Sequence, residues 1–255
     1  MPSTSMRVPR HLSVPSPSTV SRLAPNGKLR AALNLGNSVL ANRDAAGQPT
    51  GVSVDLAREL ARRLGVPLEF VAYDSAGKVV DGVKDGAWDV AFLAIDPARA
   101  VEIDYTAPYV VIEGAYLVRE GSQLASSDGV DRPGTRVVVA KGSAYDLFLS
   151  RELERATLVR VPTSQQVVGQ FVAQSLDVAA GVRQQLESDA RRIPGLRLLP
   201  GRFMAINQAM GMPRGRDAAL PWLHDFVEEM KGSGFVSQSL ARHRIEGASL
   251  APPAG

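Results

Sequence analysis

The chain has 255 residues, 45% of them hydrophobic and 22% charged, with a formal charge of +3 and a pI of about 9.4, an ordinary globular composition long enough for two lobes. It contains no cysteine, which excludes disulfides, thiolate catalysis and cysteine-ligated metals, and its three histidines (His11, His224, His243) are scattered without ligand spacing. No dense Lys/Arg run with interleaved aromatics accompanies the basic pI, so nucleic acid is not an expected partner, and no stretch approaches the length of a membrane span.

The first 26 residues hold five prolines, six serines, three arginines and no acidic residue. They lack the apolar run of a signal peptide and are expected to form a disordered leader. A wrongly placed start, or replacement of a native signal, would give the same appearance. Asn34 and Asn37 fall just past the first expected strand. Leu56, Leu60 and Leu64 recur at helical spacing opposite Arg58, Glu59, Arg62 and Arg63, so an amphipathic helix is expected, with Ser53 as its N-cap and Gly65 and Pro67 as its stop. A short strand over Leu68–Ala72, a helical piece over Val79–Lys84 and a fully apolar strand over Val90–Ala94 follow. An apolar strand after a helix suggests a parallel sheet covered on both faces.

Val110–Val118 is a further apolar run interrupted by Glu113 and Gly114, and residues 120–133 are loop-like. A second α/β unit is then expected: strands at Arg136–Ala140, Leu158–Val161, Val178–Ala180 and Leu196–Leu199, alternating with helices to about Leu153, over Ser164–Ala173 and over Gln184–Arg191. Two last helices, Pro221–Lys231 and Phe235–His243, are separated by Gly232, Ser233 and Gly234, and the Ala/Pro/Gly-rich residues 247–255 suggest a frayed tail. Two α/β units built alike imply two lobes with a cleft between them, a common ligand site.

Several segments in order carry a family resemblance. They are Gly47 through Leu56 with Val52 in place of an aromatic, the helix end Leu64-Gly65-Val66, Gly86 through Val90, Asp104 through Tyr109, Gly142-Ser143, and Gly232 through Val236. Over about residues 27–245 the chain resembles the family 3 solute-binding proteins, receptor components of ABC importers for polar amino acids and related small acids. The resemblance implies a two-lobe periplasmic-binding-protein-like α/β fold of type II, hinged on two crossing strands. Lobe one would be residues 27–117 plus 204–245 and lobe two 118–203, with a leader over 1–26 and a flexible tail over 246–255. It further implies a monomer, a small carboxylate ligand, an ABC permease as partner and a periplasmic location, although the absent signal peptide would make it cytoplasmic if the start is correct. No cofactor, metal or catalytic residue is implied.

Carried over residue by residue, the resemblance places Arg99 where receptors of amino acids clamp the α-carboxylate, a role suited to guanidinium geometry. The opposing reading is a solvated Arg opening the next helix. Ala94 and Asp96 stand where such receptors carry Ser, Gly or Thr, and the loop is about two residues shorter. The lobe-two Asp that would neutralise an α-ammonium is missing. Its place falls near Val182, beside Arg183, so an organic acid or an amino-acid derivative without a free α-amine is the expected ligand. Asp96 would restore an amine contact. Weaker binding candidates are Asn34 and Asn37, which are also common turn residues, and Gln208. Ser143 and Ala144 stand at a helix N-terminus, where an ordinary N-cap is the competing reading. Tyr145 is a candidate wall.

A binding module is therefore the leading function and an enzyme is not expected. A cyclohexadienyl dehydratase-like enzyme, with Asp96 or Glu113 as general acid, and an orphan cytoplasmic sensor are the alternatives.

Overall fold

The computed structural model describes residues 11–255; residues 1–10 of the expected leader lie outside the described residues. In chain order the first elements are α1 (Pro17–Leu23), β1 (Leu29–Asn34), β2 (Asn42–Arg43), β3 (Pro49–Thr50), α2 (Val52–Leu64), β4 (Leu68–Tyr73), α3 (Ala76–Asp81), β5 (Val90–Ala94) and β6 (Ile103–Arg119). Then follow β7 (Arg136–Ala140), α4 (Ala144–Glu152), β8 (Thr157–Val161), α5 (Val167–Ala173), β9 (Val178–Val182), α6 (Arg183–Arg192) and β10 (Leu196–Leu198). The chain closes with β11 (Met204–Pro213), α7 (Leu220–Gly232), α8 (Phe235–Arg242) and β12 (Ser249–Leu250).

One ten-stranded sheet runs in the order β4-β1-β5-β11-β6-β9-β7-β8, with β10 and β12 also paired to β6. It contains two parallel triplets, β4-β1-β5 and β9-β7-β8, each with its first strand in the middle. The long strands β11 and β6 join the triplets by antiparallel pairing. The all-buried β5 and the fully buried Val137–Ala140 of β7 match the apolar runs of the sequence, as strands covered on both faces require.

The apolar stripe of α2 is buried at Leu56, Leu60 and Leu64, and Gly65 ends the helix in the left-handed conformation. Its N-cap is Gly51 and not Ser53, which is buried inside the first turn. Gly51 sets the turn at φ +125°, a conformation open to glycine, and a Cβ there would stand 2.4 Å from the Leu40 carbonyl oxygen. Two large cores result. The first joins α2, α7 and α8 to the triplet containing β1, and the second packs α4, α5 and α6 on the triplet containing β7.

Two expectations about the ends are corrected. Residues 11–26 contain α1, whose Pro17 stands at the first helical position with Ser16 capping Thr19. A Ser/Pro-rich stretch read as disorder thus also encodes a capped helix start. Leu23 is fully buried, Trp222 Nε1 donates to the Ser13 carbonyl at 2.9 Å, and the Leu12 amide donates to Glu229 at 3.0 Å. At the other end β12 pairs with Val110 and Val111 of β6, and Ala251 is buried. The buried Lys231 ammonium donates to the carbonyls of Pro108 and Pro252, which ties this segment down.

Polar ties also fix the first core. Asp89, fully buried, accepts from the amide and guanidinium of Arg30 and from Arg216 Nη1, all at 2.9–3.0 Å. Asp55 Oδ2 on α2 accepts from Ser239 Oγ at 2.6 Å and Arg242 at 3.0 Å, and lies 2.8 Å from His243 Nε2, so α8 is held on α2. Ser239 is fully buried. Ser239→Ala is expected to lower stability by about 1.5 kcal/mol, the worth of a hydrogen bond to a charged acceptor. Thermal denaturation should show a midpoint roughly 4 °C lower; an unchanged midpoint would show that Arg242 and His243 suffice.

Candidate functional site

The C-terminal ends of the parallel strands converge on one cleft, the place where open α/β sheets bind ligands. Asn34 ends β1 and Gly36 and Asn37 follow it, Ser75 and Ala76 follow β4, and Ala94 ends β5 with Arg99 in the turn beyond. Lys141, Ser143, Ala144 and Tyr145 follow β7, Ser164 follows β8, and Val182 ends β9. Ile206 and Gln208 of β11 close the floor of a narrow cleft.

Arg99 is the centre of this arrangement. The chain leaves β5 through a tight turn in which the amides of Arg99 and Ala100 donate to the Asp96 carbonyl, and this turn folds the Arg99 side chain back over the strand end. Its Nη1 donates to the Ala94 carbonyl and its Nη2 to the Gly142 carbonyl, both at 2.9 Å. The residue is 3% exposed, and its Nε is buried with no partner. Burial pulls the guanidinium below its ordinary pKa, against the weaker pull of Tyr105 and Asp96; from so high a starting value it remains a cation. Among the described residues no carboxylate forms an ion pair with it. A buried cation without a counter-charge is costly. Tyr105 beside it is pushed up to about 12 by burial and stays neutral.

The remaining lining groups are amides and hydroxyls. Asn34 Oδ1 accepts from the Gly36 amide at 3.0 Å, which shapes the turn after β1, while Asn37 Oδ1 is buried without a partner. Ser75 and Ser143 are the N-caps of α3 and α4, so the capping reading of Ser143 holds for its hydroxyl. The Gly142 amide donates to Asp146, which secures that turn. Tyr145 Oη lies 2.7 Å from Ser164 Oγ, and burial pushes its pKa up to about 12. Gln208, 5% exposed, pairs with Ala94 across β11 and β5.

The structure thus brings together Arg99, Asn34, Asn37, Ala94, Ser143, Ala144 and Gln208. It does not bring in Asp96 or Arg183. Asp96 accepts from the Ala98 amide at 2.8 Å and from both terminal nitrogens of Arg151 at 2.9 and 3.2 Å, so its carboxylate is occupied outside the cleft. Arg183 is drawn to Glu113 at 2.7 Å and to the Gly201 carbonyl, on another face. The argument against an α-amine that rested on Arg183 therefore fails as made. Sequence reasoning did not name Ser75, Lys141, Ile206 or Ser164 as cleft residues, although Ser164 was visible as a helix-start signal.

The two cores meet tightly across the cleft. Gln165 Nε2 donates to the Leu35 carbonyl at 3.0 Å, Ser38 Oγ to Gln185 Oε1 at 3.1 Å, and Arg151 to Asp96. Gly77 at the start of α3 lies against Gly142: a Cβ on Gly142 would stand 2.9 Å from the Gly77 Cα. Gly142 also has φ +73°, the left-handed region that favours glycine.

The family model for bacterial extracellular solute-binding proteins, family 3, matches residues 32–244. A cyclohexadienyl dehydratase from Pseudomonas aeruginosa is 25% identical over 166 residues, and the match spans 63% of this chain but only 61% of that relative's length. The solved structure of an ancestral amino acid-binding protein, a precursor of cyclohexadienyl dehydratase, gives a TM-score of 0.74 at 21% identity over 89% of this chain and 100% of that one. An amino acid ABC transporter substrate-binding protein from Streptococcus pneumoniae, bound to L-arginine, gives 0.74 at 18% identity over 91% and 99%. The fold is the two-lobe α/β architecture of type II periplasmic binding proteins, with β6 and β11 as its crossing strands.

Proposed function

Because this chain belongs to the bacterial extracellular solute-binding proteins, family 3, we propose that it is the solute-binding receptor of an ABC importer and captures a small carboxylate between two lobes. The observation that carries this reading is Arg99, a cleft-lining residue whose guanidinium is buried with no carboxylate partner and with Nε unsatisfied. A ligand carboxylate supplies the missing charge and the missing acceptor. Lobe one comprises residues 27–117 and 204–245 and lobe two 118–203, and closure by hinge bending of β6 and β11 buries the ligand. The receptor acts as a monomer on the outer side of the membrane and delivers its ligand to a permease. The family description and the ABC-transporter relative support this placement.

The dehydratase-like alternative, raised by the Pseudomonas aeruginosa relative, is less favoured. The two candidates for its general acid, Asp96 and Glu113, are both held in ion pairs with arginines and neither lines the cleft. Binding without turnover is the function supported.

A thermal-shift screen against amino acids and small mono- and dicarboxylates tests this. A ligand at ~100 times its dissociation constant adds about 2.7 kcal/mol, which raises the midpoint by several degrees. The expected hits are carboxylates, with no response to the matching amides or alcohols. Equal responses to charged and uncharged compounds would sink the reading.

A further inference from the structure

We infer that the ligand is a small acid carrying a neutral hydrogen-bond donor, such as a hydroxy acid, and that the cleft rejects the corresponding α-amino acid; this rests on the carboxylate-receptor reading above. The lining residues include two cations, Arg99 and Lys141, and no Asp, Glu or His. A ligand ammonium would enter a cationic cleft with no carboxylate to meet it, and like charges in a desolvated site are strongly unfavourable. Of the acids nearby, Asp96 is committed to Arg151 and Asp146 to Arg160 and the Gly142 amide, while Asp81 lines an adjoining pocket and not the cleft.

The cleft residue at the end of β9 is apolar. Val182 lines the cleft from the end of β9, as the N-cap residue of α6, and offers no polar atom. Yet the cleft is not indifferent to donors. Asn37 Oδ1 is a buried acceptor without a partner, as Arg99 Nε is a buried donor without one. The two orphaned atoms call for complementary groups: an anionic acceptor at Arg99 and an uncharged donor at Asn37. A hydroxyl beside a carboxylate provides both, and it adds no positive charge.

The test is calorimetry of the full chain with matched pairs that differ only in hydroxyl against ammonium: lactate and alanine, malate and aspartate, 2-hydroxyglutarate and glutamate, phenyllactate and phenylalanine. Wild type, Arg99→Ala, Val182→Asp and Val182→Asn are compared. For at least one pair the wild type is expected to bind the hydroxy acid ten-fold or more tightly than its amino twin. Val182→Asp should narrow that ratio at least ten-fold or reverse it, and Val182→Asn, similar in shape without the charge, should preserve it. Tighter or equal binding of the amino acid, lost in Arg99→Ala, overturns this inference and leaves the carboxylate receptor standing. A ratio unchanged in Val182→Asp also overturns it, because the discrimination then does not rest on charge. Binding insensitive to Arg99→Ala, or none in any pair, overturns the receptor reading and this one with it.

Discussion

Arg99→Ala is expected to weaken ligand binding at least 30-fold while the ligand-free protein melts no lower than wild type. Truncating one partner of a buried charge pair costs about 2–5 kcal/mol, and here the ligand would lose its only buried guanidinium contact. The effect on the empty protein has the opposite tendency. Arg99 is buried without a counter-ion and with Nε unpartnered, so removing it relieves a desolvated charge. The cost is limited to the two carbonyls of Ala94 and Gly142 that it satisfies. Arg99→Lys should restore little, since an ammonium cannot offer the planar fork to a carboxylate. Calorimetry and thermal melting on the same three proteins decide the matter. A large loss of apo stability in Arg99→Ala would instead mark the residue as structural.

The second large effect is expected at the contact between α3 and the turn after β7. Gly77→Val adds side-chain atoms where even a Cβ would already stand 3.2 Å from the Lys141 carbonyl and 3.5 Å from the Gly142 Cα. Overpacking of this kind costs about 1–3 kcal/mol. Gly77 lies within a helix and has no positive φ, so the penalty falls on the approach of the two lobes and not on the folding of either. Ligand affinity should drop roughly 5- to 150-fold on this cost, with unchanged circular dichroism and a larger radius of gyration for the ligand-saturated variant in small-angle scattering. Wild-type affinity in Gly77→Val would show that the lobes need not approach this closely when loaded.

Much of the architecture was legible because local pattern and global role agree. Leu56, Leu60 and Leu64 announce a one-sided helix, and Val90–Ala94 announces a strand covered on both faces. Arg99, which the resemblance placed just past that strand end, lines the cleft that an open α/β sheet forms there. Asp96 and Arg183 are absent from the cleft lining for a shared reason. Their side chains are directed by partners distant in sequence, Arg151 at 55 positions and Glu113 at 70, and spacing carries no record of those pairs. Ser75 fell between an expected strand and an expected helix, and Ser164 read only as the start of a helix, so neither signalled the space it borders. The leader and tail were misjudged because Ser/Pro and Ala/Pro richness describes a segment that cannot build a core alone. It leaves open whether a neighbouring core will accept it, as Trp222 and Lys231 do here.

The 17 residues of β6 have one more consequence. This strand contributes Tyr109, Val110 and Ile112 to the first core and Ala115 through Val118 to the second, and it pairs with β11, β9, β10 and β12. Neither core can lose its side of that strand without fraying the backbone ladder that supports the other. Although the chain is shaped as two bodies, its amides in mid-β6 can open to solvent only when both bodies come apart. Cooperative unfolding in a single step, with the slowest-exchanging amides in the connection and not in either lobe's centre, is the expected signature of two cores that share one strand ladder.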